Sequence, residues 1–145
     1  GSLKHFCCNN QEFGRNTIDC TVSQRALREI YLKGYEIAVK NGADIIMTTY
    51  GAVNGMWTAG NYDLNTLILR KEWGFKGFVM TDWWATCNWK IFPNSNENLK
   101  SMIKAQNEIY MVCPDATAKS HDISEGIENG NIRNHLVRFV LLDHR

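Results

Sequence analysis

The stretch KGFVMTDWWAT, residues 76–86, decides how this chain is read. Phe78, Val79 and Met80 form a short apolar run, which suits a buried strand. The run stops at Asp82, and Trp83 and Trp84 follow at once. A carboxylate at a strand mouth, walled by indoles, is an unusual use of three residues in a row.

Working outward, strand and helix patterns alternate with short connections. SLKHFCC near the start is a strand candidate, and SQRALREIYLKGYEIAVK, residues 23–40, is an amphipathic helix. Leu27, Ile30, Tyr31, Ile37 and Ala38 fall on one helical stripe. Thr21 or Ser23 can cap its start, and Asn41-Gly42 stops it. ADIIMTTY reads as a buried strand, YDLNTLILRKEW as a helix ended by Gly74, and GFVMTD as the next strand. ENLKSMIKAQN is a helix and EIYMVC a strand, while DISEGIENG and NIRNHLVRFVLLDH are expected to close the chain as helices.

The pattern is α/β: four βα units with parallel strands plus a terminal helix, in one domain over residues 1–145. Continuous apolar strands separated by helices imply a parallel sheet covered on both faces or closed into a barrel. A complete (βα)8 barrel takes about 250 residues. Four units therefore fit a small open sheet or half of a barrel, the other half being missing or supplied by a second copy.

Composition narrows the field. The chain has 145 residues, 44% of them hydrophobic, enough for one packed core. A formal net charge of +1 with scattered Lys and Arg shows no basic stripe for nucleic acid and no polybasic membrane segment. No run approaches the roughly 20 apolar residues of a membrane helix, and GSLKHF lacks the pattern of a signal peptide. Five cysteines, an odd number without a C-x-x-C pair, read as reduced thiols of a cytoplasmic protein. Metal-ligand spacing is absent, so no metal is expected, and no organic cofactor is implied.

In both parallel-sheet architectures the site forms at the carboxyl ends of the strands. Those ends carry Lys4-His5, Thr49-Tyr50, Asp82-Trp83-Trp84 and Cys113-Pro114-Asp115. Amine, imidazole, phenol, carboxylate and indole on one rim suit a sugar, whose hydroxyls take hydrogen bonds and whose C–H face stacks on indole.

The blocks KHFCCNNQE, SQRALREIYLKGYEIAVK, IMTTYGAVNG, LRKEWGFKGFVMTDWWA and AQNEIYMV resemble, in order and spacing, the catalytic barrel of family 3 glycoside hydrolases. The likeness is to bacterial β-glucosidase-like members and to the second half of their (βα)8 barrel. It implies retaining hydrolysis of terminal β-glucosides, with Asp82 as nucleophile. It also implies that Lys4 and His5 hold hydroxyls of the terminal sugar. Tyr50 would line that sugar's pocket, Met47 would touch the sugar, and Trp83 would stand at the entrance. Trp84 would serve there too or pack behind it.

The departures are equally specific. The family's aspartate and arginine for the far hydroxyls belong to the other half of the barrel, and its acid/base residue commonly to a second domain. Gly51 stands where the family commonly has asparagine. The expected partners are a β-glucoside or small oligosaccharide, and either the remainder of a parent enzyme or a homodimer that completes the barrel. The alternative is an inert fragment that binds sugar weakly or self-associates. A phosphate-accepting Asp82 in a signalling domain is a poor third, because such a site needs acidic Mg²⁺ ligands where this chain has Lys4 and His5. Arg15, Arg25, Arg28 and Glu29 are expected as ion pairs or solvated face. Trp57, Trp73 and Trp89 are expected to pack, and His121, His135 and His144 to lie exposed.

Overall fold

The computed structural model describes residues 1–88, 99–111 and 121–133. Its centre is a parallel sheet of β1 (Ser2–Phe6), β3 (Ile45–Thr48) and β6 (Phe78–Met80), neighbours in that order. Leu3 pairs with Ile46, and Ile46 with Val79. A parallel bridge from Met80 to Ile109 adds a fourth strand position on the far side of β6. Sheet order therefore follows chain order. The expected strand EIYMVC contributes only this one pairing among its described residues.

Side chains alternate across a strand, so Ile46 and Val79 share one face. With Phe6 they form the core together with Leu27, Leu32, Val39, Leu64, Ile68, Leu69 and Phe75 from the helical layer. The Phe6 ring meets Tyr35 and Trp73 edge-on at 5.1 and 6.3 Å. Trp73 thus ties a helix end to the sheet, as expected. Each fully buried Leu or Ile here contributes about 1.5–3 kcal/mol.

The first helical segment begins where Ser23 Oγ accepts the Ala26 N–H at 3.1 Å. It runs as α1 (Gln24–Ala26), a π-helical stretch (Leu27–Tyr31) and α2 (Lys33–Lys40). The expected stripe needs correction: Ile30 and Ile37 are 69% and 55% exposed, while Leu32 and Val39 are buried. The cause is the bond from Leu32 N–H to Leu27 O, 2.8 Å across five residues rather than four. One extra residue in the turn rotates everything after it, so Leu32 follows Leu27 into the core. Asn41 Nδ2 then donates to Ile37 O at 2.8 Å, and Gly42, at φ +94°, ends the helix.

The second helical segment, Asp63–Glu72, is π-helical throughout. Asn61 Oδ1 accepts Leu64 N–H at 3.1 Å near its start, and Gly74 leaves it at φ +75°. Later come α3 (Leu99–Lys104) and α4 (His121–Glu128). Leu99, Met102 and Ile103 pack with Ala59, Ala85, Cys87 and Ile132 in a second cluster. Residues 131–133 are not helical, and the rest of the expected terminal helix lies outside the described residues.

A second small sheet joins β2 (Asp19–Cys20), β4 (Ala52–Val53) and β5 (Met56–Trp57). β4 and β5 form a hairpin turned at Asn54 and Gly55, with φ +50° and +83°. The Asn54 amide bonds both N–H and C=O of Val22, at 2.9 and 3.0 Å. Gly51 has its own reason: a β-carbon there would stand 3.0 Å from Ile18 Cγ2.

Candidate active site

Thr81 fixes the mouth of β6. Its N–H donates to Ile109 O and its Oγ1 accepts from Met111 N–H, both at 2.8 Å. The next residue, Asp82, is 7% exposed. Asp82 Oδ1 accepts the Trp83 N–H at 2.8 Å, and Oδ2 lies 3.5 Å from His5 Nε2. Tyr50 lies close enough to the same carboxylate to feel its charge. Groups from the ends of β1, β3 and β6 thus meet on one carboxylate.

The surroundings are electrically biased. Burial pushes the Tyr50 phenol up, and the negative Asp82 beside it pushes the same way. Tyr50 therefore stays a donor at neutral pH. Arg15 Cζ sits 4.9 Å from the Tyr50 ring centroid, a contact of about 0.5–1 kcal/mol at an exposed site. Arg15 Nη1 in turn binds Glu12 Oε2 at 2.7 Å. Glu12 is held below the ordinary carboxylate range first by Asn9, which donates at 3.0 Å, then by Arg15 and His5.

Of the residues expected at the site, His5, Tyr50 and Asp82 converge. Lys4 is exposed one residue earlier on β1, and the Lys4–His5 and Phe6–Cys7 peptides are cis. Met47 is buried and pairs in register with Met80, two residues before Asp82. Alternation places Met47 and Met80 on the face opposite Ile46 and Val79, the face that carries Asp82. Trp83 and Trp84 are 38% and 58% exposed, so neither packs behind the site. Trp84 adopts φ +54°, and its N–H donates to Met111 O at 2.6 Å. Cys113, Pro114, Asp115, Trp89, His135 and His144 lie outside the described residues, as does the His121 side chain.

Asn9 and Glu12 were not anticipated here; Arg15, expected as an ion pair or solvated face, does pair with Glu12 and in addition stacks on Tyr50. The signal was local: NNQEFGR follows directly on a strand end, where site loops belong. Arg25 and Arg28 do pair structurally, with Glu29 and Glu72 at 3.1 and 2.6 Å. Among the described residues no three His, Cys, Asp or Glu side chains form a group that could hold a metal.

A nearly buried carboxylate with an imidazole, a phenol and a backbone N–H around it is equipped for nucleophilic or acid–base work on a small polar substrate. The fold and this rim define a parallel-strand α/β scaffold with a cluster of polar side chains at its strand ends. Residues 1–140 match the glycosyl hydrolase family 3 N terminal domain. The chain belongs to that family. It is 55% identical over 133 residues to a β-glucosidase of Ruminococcus albus, covering 91% of this chain and 14% of that protein. A β-glucosidase structure from Paenibacillus barengoltzii superposes with TM-score 0.91 at 47% identity, covering 98% of this chain and 16% of that one. β-Glucosidase 3B of Thermotoga neapolitana in complex with glucose gives TM-score 0.81 at 37% identity, over 96% and 19%. The chain thus spans under a fifth of the length of these relatives.

Proposed function

We propose that this chain carries the nucleophile and part of the sugar pocket of a retaining exo-β-glucosidase, with Asp82 as nucleophile. The observation that carries the reading is the convergence of His5 and Tyr50 on a 7%-exposed Asp82 at a strand mouth, in a member of this family. Asp82 attacks the anomeric carbon of a terminal β-glucoside and forms a glycosyl-enzyme, which water then hydrolyses. Tyr50 and His5 hold the carboxylate in position and, with Lys4, bind sugar hydroxyls. Met47 lies below the ring, and Trp83 offers an exposed indole at the entrance.

A retaining mechanism needs a second carboxyl group about 5–5.5 Å from the first, protonating the leaving group. We assign it to the part of the parent enzyme that this chain does not span. In the same reading, the four adjacent strand positions are the later half of an eight-stranded barrel. On the face opposite the core Met47 is buried but Ile45, Phe78 and Met80 are only half-buried, which supports it. The thiols fit a cytoplasmic setting, since Cys7, Cys8 and Cys20 stand outside any disulfide.

That same half-covered face favours a second reading, an inert chain that self-associates through it. The two are separated by intact mass after incubation with 2-deoxy-2-fluoro-β-glucosyl fluoride, with Asp82→Asn as control. Fluoride leaves without protonation, so the missing acid is not needed. A covalent sugar on the unaltered chain alone supports the first reading. No adduct, with a dimer in light scattering, supports the second.

A further inference from the structure

Three thiols gather beyond the end of β1, where the sugar reading has no use for them. Cys7 and Cys8 present their Sγ atoms 3.7 Å apart. Cys20 lies on β2, and its thiol donates to Cys8 O at 3.4 Å rather than to a sulfur. Cys7 is fully buried and Cys8 is 9% exposed. We infer that Cys7 and Cys8 form a redox-modifiable dithiol, which a peroxide-class oxidant converts to a disulfide between the two neighbours, Cys8 reacting first. This inference is independent of the role given to Asp82.

The order of events follows first from access, because Cys7 is fully buried while Cys8 keeps 9% of its surface exposed. The contact with Cys8 and complete burial both push the Cys7 thiol up, so Cys7 keeps its proton. The same contact pulls the Cys8 thiol down, against the opposing effect of its burial. The thiolate is the form that reacts with peroxide. The Cys8 sulfur attacks one peroxide oxygen, the O–O bond breaks, and hydroxide leaves to become water. Cys8 is then a sulfenic acid. The Cys7 sulfur attacks the Cys8 sulfur, the S–S bond forms, and the sulfenic oxygen departs with the Cys7 proton as a second water. Two thiols and one peroxide give one disulfide and two waters, with two electrons passing from sulfur to oxygen.

The bridge would be a reversible mark rather than a staple. Neighbouring Cα atoms across a trans peptide are about 3.8 Å apart, below the usual disulfide span of about 4.4–6.8 Å. A strained bridge has a more oxidising potential and is reduced readily. Cys20 is the competitor to exclude, because it already touches the Cys8 backbone.

Sequence makes the test clean. Trypsin cleaves after Lys4, Arg15 and Arg25, so Cys7 and Cys8 share one peptide and Cys20 lies in the next. The folded 145-residue chain is treated with stoichiometric hydrogen peroxide, alkylated and digested. The expected result is peptide 5–15 lighter by two hydrogens and closed to alkylation, with both thiols recovered after dithiothreitol. A cross-link between peptides 5–15 and 16–25 overturns the proposal, as does a sulfinic mass on Cys8 or two alkylated thiols. In Cys7→Ser a dimedone probe should trap sulfenic acid at Cys8 at least about tenfold more than at Cys7 in Cys8→Ser, because no resolving thiol remains. Equal trapping in the two variants removes the assigned order.

Discussion

His5 Nε2 stands 3.5 Å from Asp82 Oδ2, so the end of the first strand in the parallel sheet meets the end of the third. No chain neighbour supplies this contact; the sheet register does. His5→Ala should leave the fold intact and slow fluoroglucoside labelling of Asp82. A partly exposed contact of this length is worth about 0.2–1 kcal/mol, so labelling should slow by up to about fivefold. Unchanged labelling would remove His5 from the site.

Tyr50 offers a titration. Its phenol is raised first by burial and then by Asp82. Asp82→Asn should lower the Tyr50 midpoint without returning it to the ordinary value, since burial remains. The difference between each protein and its Tyr50→Phe counterpart in phenolate absorbance isolates this residue. The sign for stability follows: the native state holds this proton more tightly than the unfolded chain. The contribution of Tyr50 is fully present below the unfolded phenol range of about 10 and is lost as pH rises through the folded value.

The buried pair Arg70–Glu108 ties the second helical segment to the fourth strand position, with side chains 7% and 4% exposed. Arg70 also donates to Gly77 O at 3.0 Å and Gln106 O at 3.1 Å, while Glu108 accepts Val79 N–H at 2.6 Å. Arg70→Met leaves a buried carboxylate without its counter-charge. Urea unfolding should show a loss of about 3–5 kcal/mol. A loss below about 1 kcal/mol would place this pair with surface ion pairs.

Gly77 precedes β6, and a β-carbon on it would fall 1.8 Å from Asp44 O. That oxygen already accepts Phe78 N–H at 3.1 Å. Gly77→Ala must push β3 and β6 apart at their shared start. The expected outcome is loss of the cooperative thermal transition, whereas Gly34→Ala, in a helix with open space around it, serves as a control.

The strands of the parallel sheet were legible because apolar runs such as IIMT and FVM have few alternatives. Asp82, His5 and Tyr50 were legible as strand-end residues. The tilt of the first helical stripe was not, because periodicity assumes a constant turn and the extra residue between Leu27 and Leu32 breaks it. The β4–β5 hairpin was missed although Asn54-Gly55 is the strongest short turn signal available. Its strands have only two residues each, too short for alternation to show. Arg15 was legible as a local ion pair with Glu12, three residues before it, but not as a neighbour of Tyr50. Its stacking on Tyr50 depends on a contact across 35 positions of sequence.

Within the parallel sheet each strand lies beside the one synthesised just before it, β1 then β3 then β6, with Ile109 next. Such an order lets the fold grow by accretion as the chain leaves the ribosome. Each newly made strand finds its template already in place, and among the described residues no later strand of this sheet must thread between two earlier ones. The growing edge stays exposed until its successor arrives, so a pause in translation after β6 would hold the sticky margin of the sheet open to other nascent chains.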